Sequence, residues 1–515
     1  MKVKSKQVEL GLKIAFALLL TFLVFAPSAR SVIIISAEPD RQGFPELAFG
    51  PDTFLVVWQD MRSGLPNTED VYAARVTLQG EVLEPHGIPI AVKTGAIKFI
   101  RQPTWGGENW FVHWMTDSSN GDVWLMGARM TRAGVVLDPE GKRLLNYYGH
   151  QFNQGAAYDG QNHFVVWYDT RQSGGGPGLY GARITRDLVT LDPNGILLWS
   201  GPAGMAEVAF DGRNYCVVWP EYSDPQHPRI LTGRVRPEGV VLDTLPIDVF
   251  PRDTGVVFLN APDIAFGDSV FLIVACWDSL GYDNIFGARI SPQGVLLDST
   301  AIPVSRPVSF QTMRWQPRVS FNGSFFQVVW YREQEPLHQV VEGARVEPSG
   351  LVRDTMQVRV VRDTTGIQHD PNVASSQDGR SLVIWGNEAG GQFDVYGVFV
   401  DTTGRQVGLE QRSGQVLRGS DLSLSLSISP CPVRERATIL FSLPEIKGRP
   451  VLGLYDITGR EVRVLKVPDA SSAIGSRRIL WDGRNDQGRR VPAGVYFLKL
   501  EALGRSAVRR VVVVR

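Results

Sequence analysis

The sequence predicts an all-β protein, with a seven-bladed β-propeller followed by a small Ig-like β-sandwich. A unit of roughly 54 residues recurs seven times in the middle of the chain. The 515 residues include 53 Gly, 32 Pro, 24 Phe and 13 Trp, a turn-rich and aromatic composition that is typical of β proteins. The C-terminal part consists of short apolar runs separated by turn residues, as in a β-sandwich. A helical or doubly wound enzyme is therefore not expected.

The first 29 residues have the pattern of a secretory signal peptide. Four lysines surround the start of an apolar run over 14–25, and small residues follow it at 26–29. This run is short for a bilayer span, so an uncleaved anchor is the weaker alternative. We find no second apolar stretch of spanning length in the sequence. We expect a protein that is secreted or held at the cell surface and that meets a membrane only through export or attachment.

Three landmarks recur in step along residues 30–415. The first landmark is the residue that ends an apolar run, and it recurs at Trp58, Trp114, Trp167, Trp219, Ala275, Trp330 and Trp385. The second is an arginine, usually after Gly-Ala, at Arg75, Arg129, Arg183, Arg234, Arg289 and Arg345. The third is an acid nine residues after each arginine, at Glu84, Asp138, Asp192, Asp243, Asp298 and Asp354. Fixed offsets of this kind indicate a repeat architecture.

Each unit is predicted to contain four strands. In the first unit these are the short run 45–49, the apolar strand ending at Trp58, the strand 71–76 and a last strand ending near Ile90. Seven units of four strands correspond to a seven-bladed propeller, with a linear β-solenoid as the alternative. The run 32–36 resembles a fourth strand without a unit of its own. We expect it to complete the last blade and so remove the open edge.

These units resemble the Val-Val-Trp-x-Asp, Gly-Ala-Arg and Leu-Asp repeats of secreted bacterial β-propeller proteins. The resemblance covers roughly residues 32–415. It implies the propeller fold and carries no settled activity.

Residues 416–425 are predicted to be a linker, and residues 426–515 an Ig-like domain. The last domain carries Tyr-Asp-x-x-Gly-Arg at 455–460, Trp-Asp-Gly-Arg-Asn at 481–485 and Pro-Ala-Gly-Val-Tyr at 492–496. It resembles the Ig-like domain of flagellar hook-capping proteins and the C-terminal sorting domains of type IX secretion. The resemblance implies a sorting or anchoring role, with the secretion machinery as partner. It departs at 431–433, where Cys-Pro-Val replaces the usual Asn-Pro-Phe. Trp481 and Tyr496 are predicted core aromatics.

Charge and motifs exclude several classes of function. The 53 basic residues equal the 53 acidic ones, which argues against a nucleic-acid partner, although residues 424–515 alone carry a net charge of +9. The seven histidines are scattered, and the three cysteines lack metal-ligand spacing. Cys216 lies in an apolar strand pattern and is predicted to be a buried free thiol. We therefore expect no cofactor, no metal site and no catalytic residue.

An acid also follows each tryptophan position, at Asp60, Asp117, Asp169, Glu221, Asp278, Glu333 and Glu388. These acids could form a negative ring on one face. The alternative, which we favour, is a cross-strand ion pair between this acid and the Gly-Ala-Arg arginine in six of the seven units; the seventh lacks the arginine.

Binding residues are sought in the connections between units, because these differ from one unit to the next. The candidates for ligand binding are Tyr147, Tyr148, Trp199, Arg314 and Trp315. The alternative is that such side chains fill the space between blades.

We predict an exported, non-enzymatic propeller that presents these loops to a glycan or a surface protein. One alternative is a secreted hydrolase or lyase with its site in the propeller channel, where acids or histidines with perturbed pKa values would cluster. A channel that is apolar or filled with Arg–acid pairs would argue against it. A passive surface-layer component is the third possibility.

Overall fold

The computed structural model divides into two compact units, residues 1–410 and 411–515. The structure describes residues 32–63, 68–92, 96–118, 123–145, 151–171, 177–224, 227–250, 256–279, 283–306, 313–335, 338–354, 358–360, 366–389, 392–404, 406–407, 425–429, 433–434, 436–443, 451–457, 459–465, 475–502 and 505–514. The proposed signal peptide lies outside these residues. Every regular element within them is a strand. None of the described segments is a helix long and apolar enough to cross a membrane.

The first unit contains 29 strands. In chain order they are β1 (Ile33–Ser36), β2 (Gln42–Phe49), β3 (Thr53–Asp60), β4 (Asp70–Thr77), β5 (Ile88–Ala91), β6 (Ala96–Ile100), β7 (Thr104–Trp105), β8 (Asn109–Ser118), β9 (Val123–Thr131), β10 (Lys142–Arg143), β11 (Gln151–Tyr158), β12 (Asn162–Asp169), β13 (Gly178–Thr185), β14 (Ile196–Trp199), β15 (Glu207–Phe210), β16 (Tyr215–Glu221), β17 (Arg229–Val235), β18 (Ile247–Asp248), β19 (Val256–Gly267), β20 (Val270–Ser279), β21 (Asp283–Ile290), β22 (Ile302–Pro303), β23 (Met313–Phe321), β24 (Phe326–Glu335), β25 (His338–Val346), β26 (Val358–Arg359), β27 (Ile367–Ser375), β28 (Ser381–Ala389) and β29 (Gln392–Val400).

These strands form seven antiparallel sheets, one for each repeat. Six sheets have four strands, and the second has a fifth because its first strand is divided into β6 and β7. The last sheet runs in the order β1-β29-β28-β27, with Ile33 opposite Gly397. The expected pairing of the run 32–36 with the last unit is therefore confirmed.

The seven sheets follow one another in cyclic order. The first strand of each sheet contacts the first strand of the next, and β27 of the last sheet contacts β2 of the first. The hydrophobic core lies between neighbouring sheets. Leu55 and Val57 of β3, for example, pack with Trp110 and Val112 of β8 in one buried cluster. Six of the seven repeated positions hold a tryptophan, each at most 2% exposed.

The repeated arginine joins its own unit to the next in five of the six units that have it. It pairs with the acid nine residues later, with Nε 2.8–3.1 Å from a carboxylate oxygen in all six units that have the pair. In four units Nη1 also donates to a backbone carbonyl of the following unit, at 2.6–3.1 Å. Arg129 donates instead to the Asp187 carboxylate, 2.7 Å away. We call this arrangement the arginine link.

The predicted ion pair between this arginine and the acid after the tryptophan was wrong. Asp60 accepts from Trp58 Nε1 at 2.8 Å and pairs with Arg62, and Asp169 does the same with Trp167 and Arg171. The strand register explains the error, because Arg75 lies opposite Leu55 rather than opposite Asp60. These acids therefore fix local structure, and Asp60 and Asp169 are fully buried.

The second unit is a two-sheet sandwich within its described residues. Its strands are β30 (Ser425–Ser429), β31 (Ala437–Leu443), β32 (Val451–Asp456), β33 (Glu461–Leu465), β34 (Gly475–Trp481), β35 (Gly494–Ala502) and β36 (Arg505–Val513). One sheet has the order β30-β31-β34 and the other β33-β32-β35-β36. Both sheets contribute to a single core that contains Trp481 and Tyr496, as predicted. In the first unit Cys216 is a buried free thiol, also as predicted.

Candidate functional site

In the first unit, one residue position in the first strand of each sheet faces the centre around which the sheets follow one another. It lies opposite the residue before the repeated tryptophan position, as Glu46 lies opposite Val57. In six of the sheets the register gives these residues as Glu46, Gly155, Glu207, Asp263, Arg318 and Asn372. In the second sheet, Arg101 and Gln102 lie in the gap between β6 and β7. We call Glu46, Arg101, Glu207, Asp263, Arg318 and Asn372 the channel cluster.

The backbone before four of these residues is bent by a repeated device. Phe44, Ala261, Gln316 and Asp370 each precede a proline and have φ between 47° and 50°. A β-bulge falls at the same place in each strand. Positive φ is costly for residues other than glycine, and bulges redirect the side chain that follows. The sequence X-Pro-Y therefore presents Glu46, Asp263, Arg318 and Asn372 to the centre.

Arg318 connects side chains from sheets that are not neighbours. Its Nη2 lies 3.2 Å from Glu46 Oε1, and its Nη1 lies 3.1 Å from Glu207 Oε1. The other Glu46 oxygen accepts a hydrogen bond from Asn372 Nδ2. One guanidinium thus brings together the first, fourth and sixth sheets.

Asp263 is held by the backbone instead. Its Oδ1 accepts from Ile264 N at 2.9 Å and its Oδ2 from Val319 N at 2.7 Å. Among the described residues Asp263 forms no ion pair at bridging distance. Its carboxyl is therefore oriented without being neutralised.

Burial in the channel changes the protonation of these acids. Burial raises the pKa of Glu207 to about 8, although Arg318 opposes the shift. Burial likewise raises the pKa of Asp263 to about 6, again against Arg318. Burial also favours the neutral form of Arg318, but the carboxylates of Glu46, Glu207 and Asp263 outweigh it, so its pKa is raised. Burial therefore favours the protonated form of both acids, and it does so more strongly for Glu207 than for Asp263.

A cavity of about 680 Å³ lies directly beyond the cluster. All seven first strands line it, and the lining residues Val208, Ile264 and Val319 immediately follow Glu207, Asp263 and Arg318. Two residues after the cluster positions come the small side chains of Ala48, Ala265, Ser320 and Ala374. Since residues i and i+2 of a strand share a face, these small side chains keep the space above the cluster open.

Gly155 makes room for the Glu207 carboxyl. A Cβ at this position would lie 2.9 Å from Glu207 Oε2 and 2.7 Å from the Ala206 carbonyl oxygen. The glycine thus occupies, in the third sheet, the place that polar side chains take in its neighbours.

The predicted ligand-binding residues do not meet at one surface within the described part of the chain. Tyr147 and Tyr148 lie outside the described residues. Trp199 packs in a core cluster with its ring centroid 6.4 Å from that of Trp219. Arg314 is 1% exposed and donates to Asn284 Oδ1 at 3.1 Å, and Trp315 packs against the core between two sheets. For Trp199, Arg314 and Trp315 this placement agrees with the alternative that such side chains fill the space between units. Ligand binding by the five residues stays a prediction.

Sequence reasoning missed the channel cluster, although a signal was present. Six of its positions stand twelve or thirteen residues before the repeated tryptophan position, and four of them follow a proline. The residue type at this position differs in nearly every unit, so recurring residue types do not reveal the position.

Comparison with known proteins identifies one part of the chain. Residues 434–506 match the FlgD Ig-like domain. No curated protein matches the chain.

The solved structures that are similar to the chain share little sequence with it. A protein of unknown function from Dyadobacter fermentans has 12% identity and a TM-score of 0.44, covering 72% of this chain and 98% of its own. A GH43_1 enzyme from Xanthomonas citri, solved with xylotriose, has 10% identity and a TM-score of 0.33, covering 52% and 93%. Prolyl oligopeptidase B from Galerina marginata has 10% identity and a TM-score of 0.42, covering 78% and 55%.

The prediction of a non-enzymatic protein that presents loops to a glycan or protein was wrong. The similar solved structures include three family-43 glycoside hydrolases. The channel also holds clustered acids with raised pKa values, which is the feature that the hydrolase alternative predicts. Arg318 pairs with Glu46 and Glu207, which argues the other way, but Asp263 has no such ion pair within the described residues.

Proposed function

We propose that the first unit is a seven-bladed β-propeller and that it hydrolyses a glycosidic bond at the channel cluster. The observation that carries the proposal is the pair of buried carboxyls, Glu207 and Asp263, whose pKa values lie on either side of neutrality. Two carboxyls whose environments give them different pKa values are the usual acid and base of a hydrolase. Seven sheets of four or five strands in cyclic contact support the propeller.

The proposed reaction uses one carboxyl as acid and one as base. Glu207 donates its proton to the leaving oxygen as the bond from that oxygen to the anomeric carbon breaks. Asp263 takes a proton from the water whose oxygen bonds to the same carbon. Both protons then re-equilibrate with solvent. Arg318 is a positioning residue that orients Glu207 and Glu46 through its two ion pairs.

The cavity suits a sugar of one or a few rings. Its volume of about 680 Å³ lies within the range of ligand sites. Trp105, Tyr158 and Phe266 line it, together with polar residues such as Gln102 and Ser320. Aromatic rings beside polar groups provide flat apolar contact together with hydrogen bonding, which sugars require.

A panel of 4-nitrophenyl glycosides tests this function. We expect the wild-type protein to hydrolyse at least one of them, with a maximum of kcat/KM between about pH 6 and pH 8, because Asp263 must be ionised and Glu207 protonated. Glu207→Gln and Asp263→Asn should each lose at least ~10²-fold in kcat. Glu108→Gln is the matched control, since Glu108 is an exposed acid in the turn between β7 and β8. No hydrolysis across the panel, or full activity in Glu207→Gln, would overturn the proposal.

We further propose that the C-terminal unit directs the protein to, or retains it at, the cell surface. The match to the FlgD Ig-like domain and the net charge of +9 over residues 424–515 support this role. The mass and terminal peptides of the protein from its native host test it. Loss of residues beyond about 420 from the surface-bound form would indicate a removable export signal, and an intact C-terminus would indicate a permanent anchor. Recovery of the protein only from the cytoplasm, with its leader intact, would refute both.

A further inference from the structure

Arg101 is the member of the channel cluster that the proposed reaction does not use. Its backbone N–H donates to the His113 carbonyl at 3.3 Å, in the gap between β6 and β7. Its side chain extends to the fourth sheet, where Nη2 lies 3.7 Å from Met205 Sδ. Met205 stands two residues before Glu207, so the guanidinium lies beside the proposed acid.

The guanidinium of Arg101 has unused hydrogen-bonding capacity. Its contact with the Met205 sulfur is weak, and its Nε is buried with no hydrogen-bond partner. Within the described residues it forms no ion pair, in contrast to Arg318, which has two. Burial lowers the pKa of Arg101, and the carboxylates of Glu46 and Glu207 only partly offset this. A buried guanidinium without an oxygen partner is costly, so its presence calls for a ligand group.

Arg101 also lies next to the cavity. Its Nε is buried, while the residue as a whole is partly exposed. The next four residues, Gln102–Trp105, line the cavity above the cluster. Arg318 already pairs with Glu46 and Glu207, so a bound carboxylate would supply the negative partner that Arg101 lacks among the described residues.

We propose that Arg101 binds the carboxylate of a uronic acid residue, so that the sugar taken by the channel site is acidic rather than neutral. The planar fork of a guanidinium matches a carboxylate through two parallel hydrogen bonds. This inference rests on the proposed function for the position of the sugar. Binding can be measured without turnover, so the two proposals can fail separately.

Isothermal titration of the full-length protein with free glucuronate and galacturonate, and with glucose and galactose, tests the inference. We expect at least one uronate to bind ~10-fold or more tightly than the matching neutral sugar. Arg101→Gln should abolish this preference, and Arg101→Lys should retain part of it. The control is Arg236→Gln, because Arg236 is an exposed arginine at the turn after β17.

Equal binding of uronates and neutral sugars by the wild-type protein would overturn the inference, whatever the hydrolysis assay shows. The same holds if Arg101→Gln binds uronates as the wild type does. Should Arg101→Gln fail to fold, Arg101→Lys and the wild-type comparison decide. Loss of uronate preference together with retained hydrolysis of a neutral glycoside would support the inference and the proposed function independently.

Discussion

Replacing Gly294 by alanine tests the arginine link between neighbouring units. Gly294 has φ +81° and lies in the turn that faces Arg234 of the preceding unit. An added Cβ would lie 2.7 Å from Arg234 Nε and 2.8 Å from its Cζ. The guanidinium cannot yield freely, because it donates to Asp243 at 2.7 and 2.8 Å and to the Pro292 carbonyl at 3.0 Å.

The expected loss of stability has two parts. A left-handed φ at alanine costs about 1–2 kcal/mol. Displacing the guanidinium breaks the hydrogen bond to Pro292 and strains the pair with Asp243, which costs about 1.5–3 kcal/mol more for a charged donor. Gly323→Ala is the matched control, since Gly323 has φ +90° and no atom within 4 Å of its Cβ position. It should show only the first part.

Thermal and urea unfolding followed by tryptophan fluorescence measure the difference. Gly294→Ala should be less stable than Gly323→Ala by about 1.5–3 kcal/mol. In an Arg234→Ala background, Gly294→Ala should cost no more than Gly323→Ala does, because the clashing group is gone. Equal losses for the two alanine variants in the wild-type background would refute the reasoning.

Three further predictions concern titration. Burial lowers the pKa of His163 from 6.5 to about 3, so below about pH 6.5 the unfolded chain takes up a proton that the folded protein does not. The folded protein should therefore lose up to ~3 kcal/mol of stability as the pH falls from about 6.5 to 4. His163→Phe should reduce that loss, and an unchanged loss would contradict burial of His163 as its cause. The hydrogen bond to Glu38 raises the pKa of His86, so its contribution is present at low pH and lost as the pH rises through the folded pKa; the melting temperatures of wild type and His86→Ala should differ more near pH 5.5 than near pH 8.5. Arg318→Met leaves buried carboxyls without their cation, so it should lower the free energy of unfolding by ~3–5 kcal/mol near pH 7. The loss should be smaller near pH 5, where Glu207 and Asp263 are protonated. An equal loss at both pH values would rule out the charge-based explanation.

The sequence predicted the parts of the fold that repeat. Trp58 and its equivalents mark the second strand of each unit, and the run 32–36 was assigned to the last sheet. Both follow from local patterns: apolar alternation for the strands, and resemblance to a fourth strand for the run. The arginine and its acid at an offset of nine were also found, but their pairing depends on register, which places Glu84 rather than Asp60 beside Arg75.

The candidate site could not be predicted in the same way. Arg318 and Glu46 are separated by 272 positions in the chain and meet only through the cyclic order of the sheets. Their charges matter through burial, which changes the pKa of Glu207 and Asp263 and leaves no trace in composition. The X-Pro-Y device is visible in the sequence, but its meaning depends on a positive φ before each proline.

The pairing of β1 with β29 has a consequence for the order in which the chain can be completed. Ile33 emerges from the ribosome long before Gly397, its partner across the last sheet. Until residues 392–400 are made, the earliest strand has no place to dock and the last sheet lacks its outer edge. The last sheet of the first unit therefore stays incomplete for most of the synthesis of the chain. In a circular permutant with residues 32–36 moved behind residue 407, the outer strand would pair with a strand close to it in the chain, and we expect this variant to fold sooner.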